Sequence, residues 1–278
     1  MIYGKIGLMR KKLKPIVVIG FFLTFFAIIF ISGVYGNRAT AGKETTITQS
    51  NTNPTSIETI PSSSYYITNA LEMKPIIDVS AWQRPSEIDY DTLSQNISGA
   101  IVRIQSGSHT KNENTATDEN GLDKAFDTHI KEFQARNIPV AVYAYVTGNS
   151  IDSMKEEARS FYEAANKYNP TFYWLDVEEH TMDDMNGGVE AFRQELESLG
   201  AKNIGIYVGT YFMEDHSINV DKFDAVWIPT YGVDSGYYNA APSTDLDYDL
   251  HQYTSRGYVN GFENYLDLNI ITTSQISS

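Results

Sequence analysis

From residue 75 to the end of the chain, short apolar runs alternate with stretches whose apolar positions follow a helical period. Eight runs read as strands: Pro75–Ser80, Gly99–Gln105, Ile138–Val146, Phe172–Glu178, Ile204–Gly209, Ala225–Tyr231, Tyr248–Tyr253 and Tyr265–Leu268. Between the second and third, Phe126, Ile130 and Phe133 recur at i, i+4 and i+7, the stripe of an amphipathic helix. Met154, Ala158, Phe161 and Ala165 repeat that spacing before the fourth run. Val189, Phe192, Leu196 and Leu199 repeat it before the fifth, with Gly200 as a stop signal. Shorter helices are expected around Tyr90–Gln95 and Val220–Phe223, and the last two connections are turn-rich with no stripe. Alternating strand and helix predicts a mainly parallel sheet, and eight strands with about five helices over some 200 residues predict an α/β fold, a reduced β/α barrel. A doubly wound open sheet is the competing arrangement. No Gly-x-Gly-x-x-Gly or Walker loop opens any of the helices, which weakens that competitor and any nucleotide cofactor.

The segment before residue 72 has a different pattern. Residues 1–41 carry six cations and no acid, and behind Lys14 runs an uncharged apolar stretch, residues 16–35, long enough to cross a bilayer as a helix. A positive flank followed by such a run predicts export, with the remainder of the chain extracytoplasmic. Ala39-Thr40-Ala41 has the small-x-small form of a signal-peptidase site, so a cleaved signal peptide and a single-pass membrane anchor both stay open. Residues 42–71 read as a linker: 15 of the 21 residues from Glu44 to Ser64 are Ser, Thr, Asn or Pro. Residues 72–278 are then one folded domain.

Composition narrows the chemistry. The 278 residues contain no cysteine, which removes disulfides, thiolate nucleophiles and cysteine-ligated metals. Beyond residue 41, 35 acids face 15 cations, so nucleic acid is not an expected partner. Five histidines (His109, His129, His180, His216, His251) lack HExxH or a comparable spacing, and no Gly-x-Ser-x-Gly elbow occurs. No metal and no cofactor are expected.

In β/α barrels the working residues sit at the C-terminal ends of the strands. The fourth run ends Trp174-Leu175-Asp176-Val177-Glu178, and strand alternation turns Asp176 and Glu178 the same way. The first run carries Asp78. If the sheet closes, the first and last strands become neighbours and bring Asp78 beside Asp267. A single strand-end acid is more often solvated or a helix cap. Four acids crowded at one mouth repel one another, which raises the pKa of at least one and keeps it protonated near neutral pH. A protonated carboxyl beside an ionised one can cleave a glycosidic bond, with Glu178 as general acid and Asp176 as stabilising anion. Trp82, Tyr143, Tyr145, Tyr207, Trp227, Tyr231 and Tyr253 are candidate platforms for sugar rings, or barrel packing. Ser106–Gly121 reads as a loop over the cleft or a plain excursion.

Five ordered segments carry a family resemblance: Ile77–Gln83 (IDVSAWQ), Asp176-Val177-Glu178, Trp227–Tyr231 (WIPTY), His251–Ser255 (HQYTS) and Leu266–Asn269 (LDLN). The pattern resembles the family 25 glycoside hydrolases, the bacterial and phage lysozymes or N-acetylmuramidases. The resemblance implies a barrel of eight strands and five helices that hydrolyses the β-1,4 bond between N-acetylmuramic acid and N-acetylglucosamine in bacterial cell-wall peptidoglycan. It implies Glu178 as acid, Asp176 as its partner, Asp78 and Asp267 as an acidic floor, and Gln252 as a further substrate contact. It also implies retention of anomeric configuration, through either the substrate's acetamido group or a carboxylate. Many relatives carry a histidine after the tyrosine of the third strand, where this chain has Tyr143-Ala144-Tyr145. Two alternatives remain: another N-acetylhexosaminidase-type carbohydrase, whose DxxDxDxE signature is broken here by Trp174, and a non-catalytic glycan-binding domain on the same fold.

Overall fold

The computed structural model describes residues 74–107 and 114–272. The expected basic stub, apolar run and linker lie outside the described residues, and among the described residues no helix is long and apolar enough to cross a membrane. Eight strands form a closed barrel in chain order: β1 (Ile76–Val79), β2 (Gly99–Gln105), β3 (Val140–Tyr145), β4 (Tyr173–Asp176), β5 (Ile204–Tyr207), β6 (Ala225–Pro229), β7 (Leu250–Gly257) and β8 (Leu266–Ile271). Strands β1 to β7 run parallel, and β8 is antiparallel to both β7 and β1. Topology explains that reversal, because the connection 258–265 is too short to carry the chain back across the barrel for a parallel return.

Five α-helices occur among the described residues: α1 (Tyr90–Ser94), α2 (Phe126–Ala135), α3 (Ile151–Ala165), α4 (Met185–Leu199) and α5 (Thr210–Asp215). The three long stripes read from the sequence bury the expected side chains, Ile130 and Phe133 on α2, Met154, Ala158, Phe161 and Ala165 on α3, and Val189, Phe192 and Leu196 on α4. Ends follow local chemistry. Ser150 and Ser153 form a reciprocal capping box, Asp184 caps α4 by accepting from the Gly187 N–H, and Gly200 stops it at φ 96°. The fifth connection departs from expectation. Its helix is α5 at Thr210–Asp215, and the apolar signal at Val220–Phe223 is a turn closed by Phe223 N–H to the Val220 carbonyl, with Ile218 and Val220 packed into the core. Two apolar residues three apart suit a tucked turn as well as one helical turn, so the period alone did not decide.

Strand alternation divides the core into two shells. Ile77, Val79, Val102, Ile104, Val142, Leu175, Ile206 and Ile228 face the helices, whereas Ile101, Ala141, Trp174, Tyr207, Ala225, Trp227 and Leu250 fill the lumen. Trp174 is the largest fully buried side chain. It fits because its register neighbour on β5 is Gly205: a Cβ there would lie 2.3 Å from the indole ring. The lumen is therefore filled below the mouth, and the strand-end side chains stand on a solid floor. Gly205→Ala should overpack this layer and cost about 1–3 kcal/mol, a fall in Tm of roughly 2–12 °C for a domain of this size. An unchanged Tm in thermal denaturation would contradict the packing argument.

Candidate active site

All four sequence-predicted acids meet at the exit end of the barrel, lining a cavity of about 250 Å³ together with Arg103, Tyr143, Tyr145, Tyr207, Trp227, Tyr231 and Gln252. Each arrives by strand alternation. Asp176 follows Trp174 on the inward face of β4, and Glu178 stands two residues further, past the strand's end, where it opens to solvent. Asp78 on β1 pairs in register with Asp267 on β8, as closure of the sheet requires. Trp82 and Tyr253 are the predicted site residues that do not line this cavity: Trp82 projects into solvent on the turn after β1, and Tyr253 packs on the outer side of β7, its ring 6.4 Å from that of His251.

The floor is a hydrogen-bonded relay. Asp78 Oδ2 accepts from Gln252 Nε2 at 2.9 Å and from Asn269 Nδ2 at 2.8 Å. Gln252 is oriented from its other end, its Oε1 accepting the hydroxyls of Tyr231 at 2.5 Å and Tyr207 at 3.0 Å. The Gln252 amide thus holds Asp78 from within the cavity wall. Asp267 also donates to Asp78, and it is the proton-bearing partner: burial first, then repulsion from Asp78, pushes its pKa up to about 8. Burial also raises Asp78, against the pull of its three donors. The two acids therefore share one proton near neutral pH.

Asp176 is held well above the ordinary carboxyl range, chiefly by burial and then by repulsion from Glu178 and Asp78, with the Arg103 guanidinium opposing. Its Oδ1 and Trp227 Nε1 belong to residues that line the cavity, and both atoms are buried without a protein hydrogen-bond partner. Glu178 is raised by partial burial, then by Glu179 and Asp78. Among the described residues no group of three His, Asp or Glu is placed to hold a metal ion.

Two contributors escaped the sequence reading. Arg103 is the inward-facing cation of β2; its Nε donates to the buried Asp123 at 3.0 Å, and Asp123 also accepts the backbone N–H groups of Ala81 and Ala125. A lone charge at an inward position of an otherwise apolar strand (Ile101-Val102-Arg103-Ile104) was the available signal. Asn269 lies inside a segment that was noticed, but its bond to Asp78 depends on the pairing of β8 with β1.

The model of the family described as Glycosyl hydrolases family 25 matches residues 77–262, which spans every strand-end acid except Asp267. The chain belongs to glycosyl hydrolase family 25. A family 25 glycosyl hydrolase of Streptococcus pneumoniae, described as a virulence factor participating in host cell invasion, is 58% identical, covers 76% of this chain and 92% of its own, and superposes with a TM-score of 0.71. The catalytic domain of an endolysin from a Listeria monocytogenes bacteriophage is 25% identical over 74% of this chain and 96% of its own, with a TM-score of 0.64. A family 25 glycosyl hydrolase from Bacillus anthracis, at 22% identity, 73% and 90% coverage and a TM-score of 0.56, shares the fold. Among curated proteins none matches the chain. The reduced barrel and the glycoside hydrolase class read from the sequence both stand.

The shared proton has a consequence for stability in this family 25 barrel. Asp267 titrates near 3.8 in an unfolded chain and near 8 in the fold, so between those values the native state binds more protons than the unfolded one. Stability therefore falls as pH rises through that window. Asp267→Asn keeps a donor toward Asp78 without the dissociable proton. Relative to the unsubstituted protein it should gain stability progressively from pH 4 to 8 in urea titrations. A difference independent of pH would remove the proton from Asp267.

Proposed function

We propose that the protein is a peptidoglycan muramidase that cleaves the β-1,4 bond following N-acetylmuramic acid, with Glu178 as general acid. The observation that carries the reading is the convergence of Asp78, Asp176, Glu178 and Asp267, distant in sequence, on one cavity walled by aromatic side chains. Glu178 stands at the mouth, where a leaving oxygen on an incoming strand can be reached, and its raised pKa keeps a proton available for transfer. Asp176 lies one layer deeper. Its carboxyl and the Trp227 indole line the cavity beneath the bound sugar. Positive charge growing at the anomeric carbon acts with Arg103 to favour the Asp176 anion, so stabilisation strengthens as the bond breaks. The Asp78–Asp267 pair, fixed by Gln252 and Asn269, holds the floor rigid beneath the reacting sugar.

The basic cluster and the apolar run 16–35 support placement of this domain outside the membrane, where peptidoglycan is found. The protein incubated with purified peptidoglycan should generate reducing ends on muramic acid, identified by mass spectrometry. Reducing ends on N-acetylglucosamine, or binding without cleavage, would overturn the reading. Glu178→Gln should lower turnover at least about a hundredfold with little change in Tm. An unaffected variant would take the acid role from Glu178.

A further inference from the structure

Five of the six exposed aromatic side chains among the described residues stand on one half of the barrel mouth. They are Trp82 (61% exposed), Tyr211 (83%), Tyr237 (75%), Tyr258 (66%) and Tyr265 (45%). Tyr211 follows β5, Tyr237 follows β6, Tyr258 follows β7, Tyr265 leads into the antiparallel β8, and Trp82 follows β1. These five strands are consecutive around the closed barrel, whereas the described connections after β2, β3 and β4 expose no aromatic. The sixth, Tyr238, lies on the outer flank of β7 against His251 and Tyr253. Four strand-to-strand steps give the arc a span of roughly 19 Å.

The arc is held in place. Tyr258 and Tyr265 pack ring to ring at 4.7 Å, and the Arg256 guanidinium covers Tyr265 at 5.4 Å. The loop bearing Tyr237 is tied to the exit end of β7 through Asp234, which accepts from Thr254 Oγ1 at 2.7 Å and from Ser255 N–H at 2.9 Å. Exposed rings fixed in this way lose little entropy when they bind. The charge around them is one-sided: the mouth-side segments 80–89, 208–216, 230–239 and 256–265 carry six acids and two cations. Such a face repels anionic lipid and phosphate polymers, and its rings suit the apolar faces of uncharged sugars. The catalytic cavity, about 250 Å³, falls below the roughly 300–1,000 Å³ of common ligand pockets, so most of a glycan strand must lie outside it.

We propose that this aromatic arc is a docking rail that carries the uncharged glycan backbone from the pocket across β1, β8, β7, β6 and β5, and so selects polymeric strands over short oligosaccharides. The inference deepens the muramidase reading and rests on it for the identity of the glycan. The test uses the full chain with Tyr211, Tyr237 and Tyr258 replaced together by Ser, all outside the cavity. On glycan strands whose lactyl carboxyls are capped as amides the triple variant should show a KM raised by roughly tenfold, about a factor of two for each ring lost. On a tetrasaccharide with its lactyl carboxyls capped in the same way its kcat/KM should stay within about twofold of the unsubstituted protein. Equal effects on both substrates, or none on either, would overturn the rail. Co-sedimentation of the Glu178→Gln chain with insoluble peptidoglycan, with and without the triple substitution, separates the two claims. Sedimentation that depends on the tyrosines, with no hydrolysis by the unsubstituted protein, would sink the muramidase reading alone; sedimentation indifferent to them would sink the rail.

Discussion

The proton shared between Asp78 and Asp267 is the interaction on which the mouth of this barrel depends. It exists because the last strand returns antiparallel and seals the sheet against the first, placing the two carboxyls in direct register. Two buried carboxylates in register would repel strongly in a site shielded from water. One proton turns that repulsion into a hydrogen bond, and the amides of Gln252 and Asn269 fix which acid keeps the negative charge. The same relay reaches Tyr207 and Tyr231 through the Gln252 oxygen, so β1, β5, β7, β8 and the segment after β6 are joined by one set of polar contacts. Loss of any member leaves a buried polar group without a partner, which costs more than the bond itself contributes.

That arrangement sets stability against function. Four acids with raised pKa values weaken the fold as pH rises, so the rest of the barrel must supply the margin. The supply is visible in the two apolar shells and in the layer beneath the mouth, where Trp174, Trp227 and Tyr207 pack edge to face. The floor also does chemical work. A lumen closed by Trp174 keeps water from reaching the acids from below, so burial is the first cause raising Asp78, Asp176 and Asp267, while Glu178 at the mouth stays open to solvent.

How much of this could be read in the sequence follows from the range of each interaction. Period-2 and period-3.6 patterns are local, so the strands and the three long helices were legible from stripes such as Val189-Phe192-Leu196. Inward direction was legible too, because alternation within one strand places Asp176 and Glu178 on one side. Even the Asp78–Asp267 contact could be read once closure was assumed, since closure makes the first and last strands neighbours. The registers of the other strands were not legible. Arg103 matters because β2 sets it beside β3 and within reach of Asp123, and Gln252 reaches Asp78 only across the lumen. Trp82 marks the opposite limit: its place after a strand end left a sugar platform and barrel packing both open, and only the turn after β1, which sends it outward, removes the packing role.

The mouth is chemically divided in a way that the strand order imposes. The half built by β2, β3 and β4 presents Arg103, Tyr143, Tyr145, Asp176 and Glu178, charged and phenolic groups turned into the cavity. The half running from β5 round to β1 turns Tyr207, Trp227, Tyr231, Gln252, Asp267 and Asp78 into the cavity and alone carries the exposed rings outside it. A barrel closed in chain order allows this separation because neighbouring loops are neighbours in sequence, so composition drifting along the chain becomes composition drifting around the rim. The two sets of groups meet on β8 and β1: Tyr265 and Asp267 lie within three residues, and Asp78 and Trp82 within five. Bond cleavage and strand holding then meet along two neighbouring strands, and the Asp123 carboxylate, by accepting the Ala81 N–H while bonded to Arg103, ties the turn after β1 to β2.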